Sequence, residues 1–214
     1  HMPKMEMWTV NHEARLTAPG QRIKRIGINL GAPGDRTDDS GTLWVEYPSV
    51  GGEHADLAIT VEGDVSWYRS SSLKFSGEGP AWIGASGVMN AARLTIPMSV
   101  SESKEKDTRE DAAKENAVVD ASQKQSFVEA SPHTVRLHFS DPGPTKTAER
   151  IFSVSLQGQT VIEGLDIATA AGRSQKTIVH EFRHISIGNE LTIDLSAQHG
   201  QTVLCGVEIV SEQE

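Results

Sequence analysis

Apolar side chains in this chain recur at every second position over short runs, and turn-forming residues end each run. That period puts one face of a strand on a core and the other in water. Arg25 to Leu30 reads as the first strand, followed by a turn at Gly31, Ala32, Pro33, Gly34 and Asp35. Thr42 to Tyr47 reads as the second and stops at Pro48, ahead of the pair Gly51, Gly52. Leu57 to Val61, Ser66 to Lys74 and Ala91 to Met98 are further strand candidates, punctuated by Gly77, Gly79 and Pro80.

The last eighty or so residues carry the clearest pattern. Val135, Leu137 and Phe139 alternate with Arg136 and His138, and Ile151, Val154 and Leu156 lead into Gln157, Gly158, Gln159 before Thr160 to Ile162, which predicts a hairpin. Thr177 to Ile187, Glu190 to Leu195 and Thr202 to Val210 follow, rich in β-branched residues and separated by Gly188 with Asn189 or His199 with Gly200. Short strands at this spacing predict an all-β sandwich or barrel. Residues 99–131 break the pattern with a long polar insertion, flexible or partly helical, that has too little apolar area to order itself. The expected organisation is a lead-in over 1–24, one β domain over 25–210 and a tail over 211–214.

Composition narrows the function classes. A formal net charge of −9 argues against nucleic acid as a partner, because phosphate binding needs a basic surface. No apolar run reaches the ~20 residues of a membrane-spanning helix, so direct membrane insertion is not expected. The single cysteine, Cys205, excludes an internal disulfide and sits in an apolar run, as a core residue would. His1 and Met2 read as a cloning scar on an excised fragment. The compartment stays open, and a parent exported to the periplasm or cell surface fits.

One segment imitates an enzyme. His180, Glu181, Phe182, Arg183, His184 matches the H-E-x-x-H zinc motif, which needs a helix to bring both histidines to one metal. Its flanks, Thr177 to Val179 and Ile185 to Ile187, alternate as a strand. On a regular strand the histidines share a face but stand roughly 13 Å apart, with Glu181 on the other face. No metal site and no catalytic residue is expected from it. Asp35, Asp39 and Glu46 fall at positions one, five and twelve of an EF-hand-like loop, but Ser40 replaces the glycine and no helices flank it. A solvated turn explains the spacing, and a calcium loop of another kind stays open.

The strands also carry a family likeness. Val135 to Pro142 resembles the malectin-like strand that ends in His-Phe-Ala-Glu-Pro. Arg150 to Gly158 is similar to that family's R-x-F-x-V-x-x-x-G strand and turn, Leu165, Asp166, Ile167 to its D-I step, and Leu204 to Val210 to its closing strand. Ile28, Asn29, Leu30, Gly31 resembles its first strand, and Gly41 to Pro48 looks like domains that follow β-propellers in large bacterial proteins. The resemblance implies a galactose-binding-like jelly-roll sandwich whose end loops hold a sugar, with aromatics and an aspartate touching the glycan. In malectin an aromatic pair follows the His-Phe-Ala-Glu-Pro step, and here Gly143, Pro144, Thr145 stand in its place.

The expected function is therefore a non-catalytic carbohydrate-binding module of a larger protein, with no cofactor. Its expected partners are an oligosaccharide or polysaccharide and the neighbouring domains of the parent. The candidate contacts are Tyr47, Trp67 and Tyr68 as stacking rings, with Arg69 and Asp35 as polar partners. A structural or protein-interaction sandwich without sugar binding is the alternative.

Overall fold

The computed structural model describes residues 21–49, 57–100 and 129–213. Most of the expected lead-in, the Gly51, Gly52 pair and residues 101–128 of the expected insertion lie outside the described residues. In chain order the strands are β1 (Arg25–Leu30), β2 (Arg36–Thr37), β3 (Leu43–Tyr47), β4 (Thr60–Arg69), β5 (Ser76–Gly77), β6 (Ser86–Pro97), β7 (Ser131–Phe139), β8 (Ile151–Leu156), β9 (Gln159–Leu165), β10 (Lys176–Ile187), β11 (Glu190–His199), β12 (Val203–Leu204) and β13 (Gly206–Ser211). Two short helices, α1 (Ala81–Gly84) and α2 (Ile167–Ala171), interrupt them.

The strands form two sheets of a jelly-roll sandwich. One runs β2-β3-β1-β13-β7-β10-β5, and the other β12-β6-β11-β8-β9 with β4 paired to β6. Both ends of the described chain meet in the first sheet, because β13 lies between β1 and β7. Ile26, Ile28, Val135, Leu137, Phe139, Val207 and Ile209 face Leu94, Ile96, Phe152, Val154, Leu191 and Ile193 across the core, and all are fully buried. Burial runs past the expected domain limits: Ile23 is in the core, and Glu212 donates its amide to Pro132.

Two of the expected strands, Leu57–Val61 and Ser66–Lys74, are one element. Residues 60–69 form the single strand β4, and Gly63, at φ 128°, carries the bulge between the halves. A side chain at Gly63 would press on the backbone of Asn90 and Ala92, so only glycine keeps the two halves in register there. Residues 72–74, expected to extend that strand, form a 3-10 turn instead. α2 has a local cause: the Asp166 carboxylate accepts from the Thr169 amide at 3.1 Å, and Gly172 ends the helix in the left-handed region.

The outer face of the seven-stranded sheet is not bare. The segment from Ser70 to Ala85 leaves β4, runs beside β10 as β5 and crosses over the sheet to enter β6. It sets Trp82 edge-on to Trp44 at 5.8 Å, and Trp44 in turn edge-on to His138 at 5.2 Å. Glycines make room for this second core: Gly27 sits opposite Trp44 in register, where a methyl group would overlap the indole, and Gly206 lies against both Trp44 and Ile83.

Candidate functional site

β4 decides how the expected contacts are distributed. Residues two apart share a side of a strand, so Trp67 and Arg69 point one way and Tyr68 the other. Trp67 meets Tyr47 across the gap between β4 and β3, ring centroids 5.9 Å apart, and remains 36% exposed. Tyr47 ends β3 half-buried, and that burial raises its hydroxyl above the usual phenol range. Arg69 donates through Nε to the Gly31 carbonyl at 2.8 Å and through Nη2 to the Ala32 carbonyl at 2.9 Å. The structure thus brings Tyr47, Trp67 and Arg69 to one surface beside the turn after β1.

Tyr68 and Asp35 are placed elsewhere. The Tyr68 hydroxyl lies 3.0 Å from Cys205 Sγ and donates toward the carbonyls of Gly84 and Ser140 at 3.2 and 3.3 Å. Burial holds its pKa well above the ordinary value. Cys205 itself is fully buried, which pushes its thiol up to about 12. Asp35 is 3% exposed and accepts from the Glu46 amide at 2.9 Å, so it fastens the first loop to β3.

Two clefts flank the crossing segment, and Arg69 lines the smaller of them. One, of about 240 Å³, is lined by Pro33, Arg69, Trp82 and the serines at 70, 71, 72 and 86. The other, of about 430 Å³, lies between Arg36 to Asp39 and the crossing segment at Gly79 to Trp82. Ser72 and Trp82 belong to both, so the clefts share a wall. Arg36 covers the Trp82 ring at 4.9 Å. Neither Trp82 nor the serines were singled out as contacts from the sequence. The serine run beside Trp67 was the available signal, and the Gly79, Pro80 turn before Trp82 was a second.

The enzyme-like motif is dispersed on β10. A bulge lies between Phe182, opposite Val135, and Ile185, opposite His133. It corrects the expectation that the histidines share a face. His180 turns inward, edge-on to Phe139 and stacked on Phe182, whereas the His184 side chain is 81% exposed and pairs with Glu212 at 2.7 Å. Glu181 bonds Arg136 at 2.6 Å and Arg183 at 2.7 Å. In the EF-hand-like stretch, Asp38 accepts from the Ser40 and Thr42 amides, the Ser40 hydroxyl and Trp44 Nε1. Burial alone would raise the Asp38 carboxyl, and these donors outweigh it and hold the pKa below the usual range. Among the described residues no three His, Cys, Asp or Glu side chains gather as a metal group.

The segment that carries the family likeness is built around buried polar side chains. His138 is 4% exposed, neither ring nitrogen has a partner among the described residues, and burial lowers its pKa to about 4. Asp141, 1% exposed at its side chain, contacts Arg150 Nε at 2.9 Å, and burial raises its carboxyl against the pull of that guanidinium. Pro142 and Gly143 follow it at the same end of the sandwich as Arg150 and Gln201.

Comparison with known proteins agrees with this geometry. The malectin domain family matches residues 90–213, more than half of the chain. Among solved structures, beta-glucuronidase 2 of Bacteroides uniformis aligns with a TM-score of 0.57 at 12% identity, over 88% of this chain and 18% of that one. The ANX2 ectodomain of Arabidopsis thaliana aligns with a TM-score of 0.57 at 14% identity, over 86% of this chain and 48% of that one. The plant receptor-like kinase FER aligns with a TM-score of 0.55 at 15% identity, over 89% and 43%. At these identities the likeness is one of fold, and this chain spans less than half the length of each. No curated protein sequence matches it. The matched residues 90–213 include β7 with the Asp141, Pro142 step that follows it, the Asp166 helix cap and the closing strand β13, and the chain belongs to the malectin domain family.

Proposed function

We propose that this domain is a non-catalytic carbohydrate-binding module of a larger protein and that it grips its ligand at the surface shared by Tyr47, Trp67 and Arg69. The observation that supports this reading most is the exposed Tyr47–Trp67 pair next to a serine-lined cleft. An exposed indole offers an apolar face to the C–H side of a sugar ring, and the serine hydroxyls and guanidinium satisfy sugar hydroxyls at its rim. Asp35 serves this site by fixing the first loop, and Tyr68 by fixing the crossing segment from beneath.

A glycan array followed by calorimetric titration tests the proposal. The wild-type domain is expected to bind at least one oligosaccharide saturably, and Trp67→Ala is expected to weaken that binding more than tenfold while the fold persists. A folded domain that binds no glycan on the array would assign the surface to a structural or protein-interaction role within the parent.

A further inference from the structure

The smaller cleft has a chemical bias of its own. Arg69 is the one ionisable side chain among the residues that line it. Its guanidinium is held by two backbone carbonyls, through Nε and Nη2, which leaves Nη1 without an acceptor among the described residues. A guanidinium already fixed in place loses little further freedom when a ligand arrives. The hydroxyls of Ser70, Ser71 and Ser72 likewise have no partner among the described residues. Ser86 differs, since its hydroxyl donates to Asn29 at 3.3 Å. The neighbouring cleft has the opposite bias, with Asp38 and Asp39 against Arg36.

We infer that the Arg69 cleft is an anion subsite, which takes a singly charged substituent, a carboxylate or a sulfate ester, on a sugar whose ring rests near Trp67. The inference rests on the carbohydrate-binding reading and sharpens it to acidic saccharides. One positive charge and a set of uncommitted hydroxyl donors match one negative group, and charge-assisted hydrogen bonds are about twice as strong as neutral ones. A volume of about 240 Å³ falls below the ~300 Å³ of pockets for drug-sized ligands, a size for one ring and its substituent. The chain's net charge of −9 works against long polyanions, so the subsite favours isolated acidic residues.

The test compares four ligands of one backbone by calorimetry: cellotriose, the same trimer oxidised to a C6 carboxylate, the methyl ester of that acid, and the trimer sulfated at C6. The carboxylate or the sulfate, or both, should bind at least tenfold tighter than cellotriose and the ester, and whichever does so identifies the group. In Arg69→Gln the ratio of acid to ester affinity should collapse to about one. Because Arg69 also props the loop after β1, the double variant Ser71→Ala, Ser72→Ala provides a second readout and should lower that ratio without touching the prop. If the ester binds as tightly as the acid and the sulfate shows no advantage, the anion subsite is wrong while carbohydrate binding stands. If none of the four binds, the anion subsite is wrong, while the glycan array decides the carbohydrate reading separately.

Discussion

Two aromatic clusters in this domain look alike in the sequence and differ in everything that surrounds them. Trp44, with Trp82 and His138, lies beneath the crossing segment at 1% exposure, its Nε1 bonded to Asp38 and its ring opposite Gly27. Trp67, with Tyr47, sits at the gap between β4 and β3 opposite Val88, and keeps 36% exposure. The difference teaches that the partner strand decides an indole's role. A glycine facing it lets the ring lie flat on the sheet and be covered, and a bulky residue leaves it standing at the rim.

The sharpest way to break that contrast is to remove the buried ring. Trp44→Ala is expected to cost about 3–5 kcal/mol, the usual range for a large core aromatic, and Gly27→Val should approach that loss by forcing the same ring off the sheet. Urea unfolding followed at two wavelengths measures both, and a loss under 1 kcal/mol for either would show that the crossing segment does not depend on Trp44.

The same cluster predicts a pH dependence. The His138 pKa falls from about 6.5 in the unfolded chain to about 4 in the fold, and burial is the leading cause. The unfolded chain then binds more protons between those values, so the contribution of neutral His138 is complete above pH 6.5. It is lost as pH falls and levels off near pH 4, about 3 kcal/mol in all. His138→Phe keeps a ring on Trp44 and should flatten the stability profile across that window. Some slope remains, because burial lowers the pKa of His133 and His180 as well. An unchanged profile in the variant would place the titration elsewhere.

The fold was legible because burial follows the period of two in β8, in β7 as far as Leu137 and in β11 as far as Leu195, where only one face meets the core. It was less legible where both faces are covered: β1 is buried at five consecutive positions, and the alternation of Ile26, Ile28 and Leu30 with Gly27 and Asn29 in its sequence gives no sign that the second face is covered too. Elements set by single residues were missed, among them the Gly63 bulge that joins two expected strands and the bulge at His184 that parts the two histidines. At the site, Tyr47, Trp67 and Arg69 could be found as residues with ring or charge after a strand. That Tyr68 points the other way follows from strand parity, which depends on where β4 lies relative to its bulge. Trp82 and the serine run were visible in the sequence as a turn and a polar cluster, but that the crossing segment folds back to close a cleft against Pro33 and Arg69 is a tertiary contact that no local pattern records.

At the rim the expected effects are smaller, and they separate binding from stability. Trp67→Ala should cost only about 1 kcal/mol, since the ring is over a third exposed, whereas the proposed binding role predicts a more than tenfold loss of glycan affinity. A stability loss as great as that of Trp44→Ala would make the Tyr47–Trp67 pair a structural staple between β3 and β4. Leu73 gives the lower limit. It stands 95% exposed on the 3-10 turn beside Ser72, one of the two residues common to both clefts. A lone exposed apolar side chain contributes little to a fold, so Leu73→Ser should stay within about 0.5 kcal/mol of wild type by thermal melting. Glycan affinity should change no more than twofold, because a leucine offers neither hydrogen bonds nor a flat face to a sugar. A tenfold loss of glycan binding in Leu73→Ser would move the ligand from the Trp67 side of the cleft to the crossing segment, and with it the contrast between the two indoles as buried support and exposed platform.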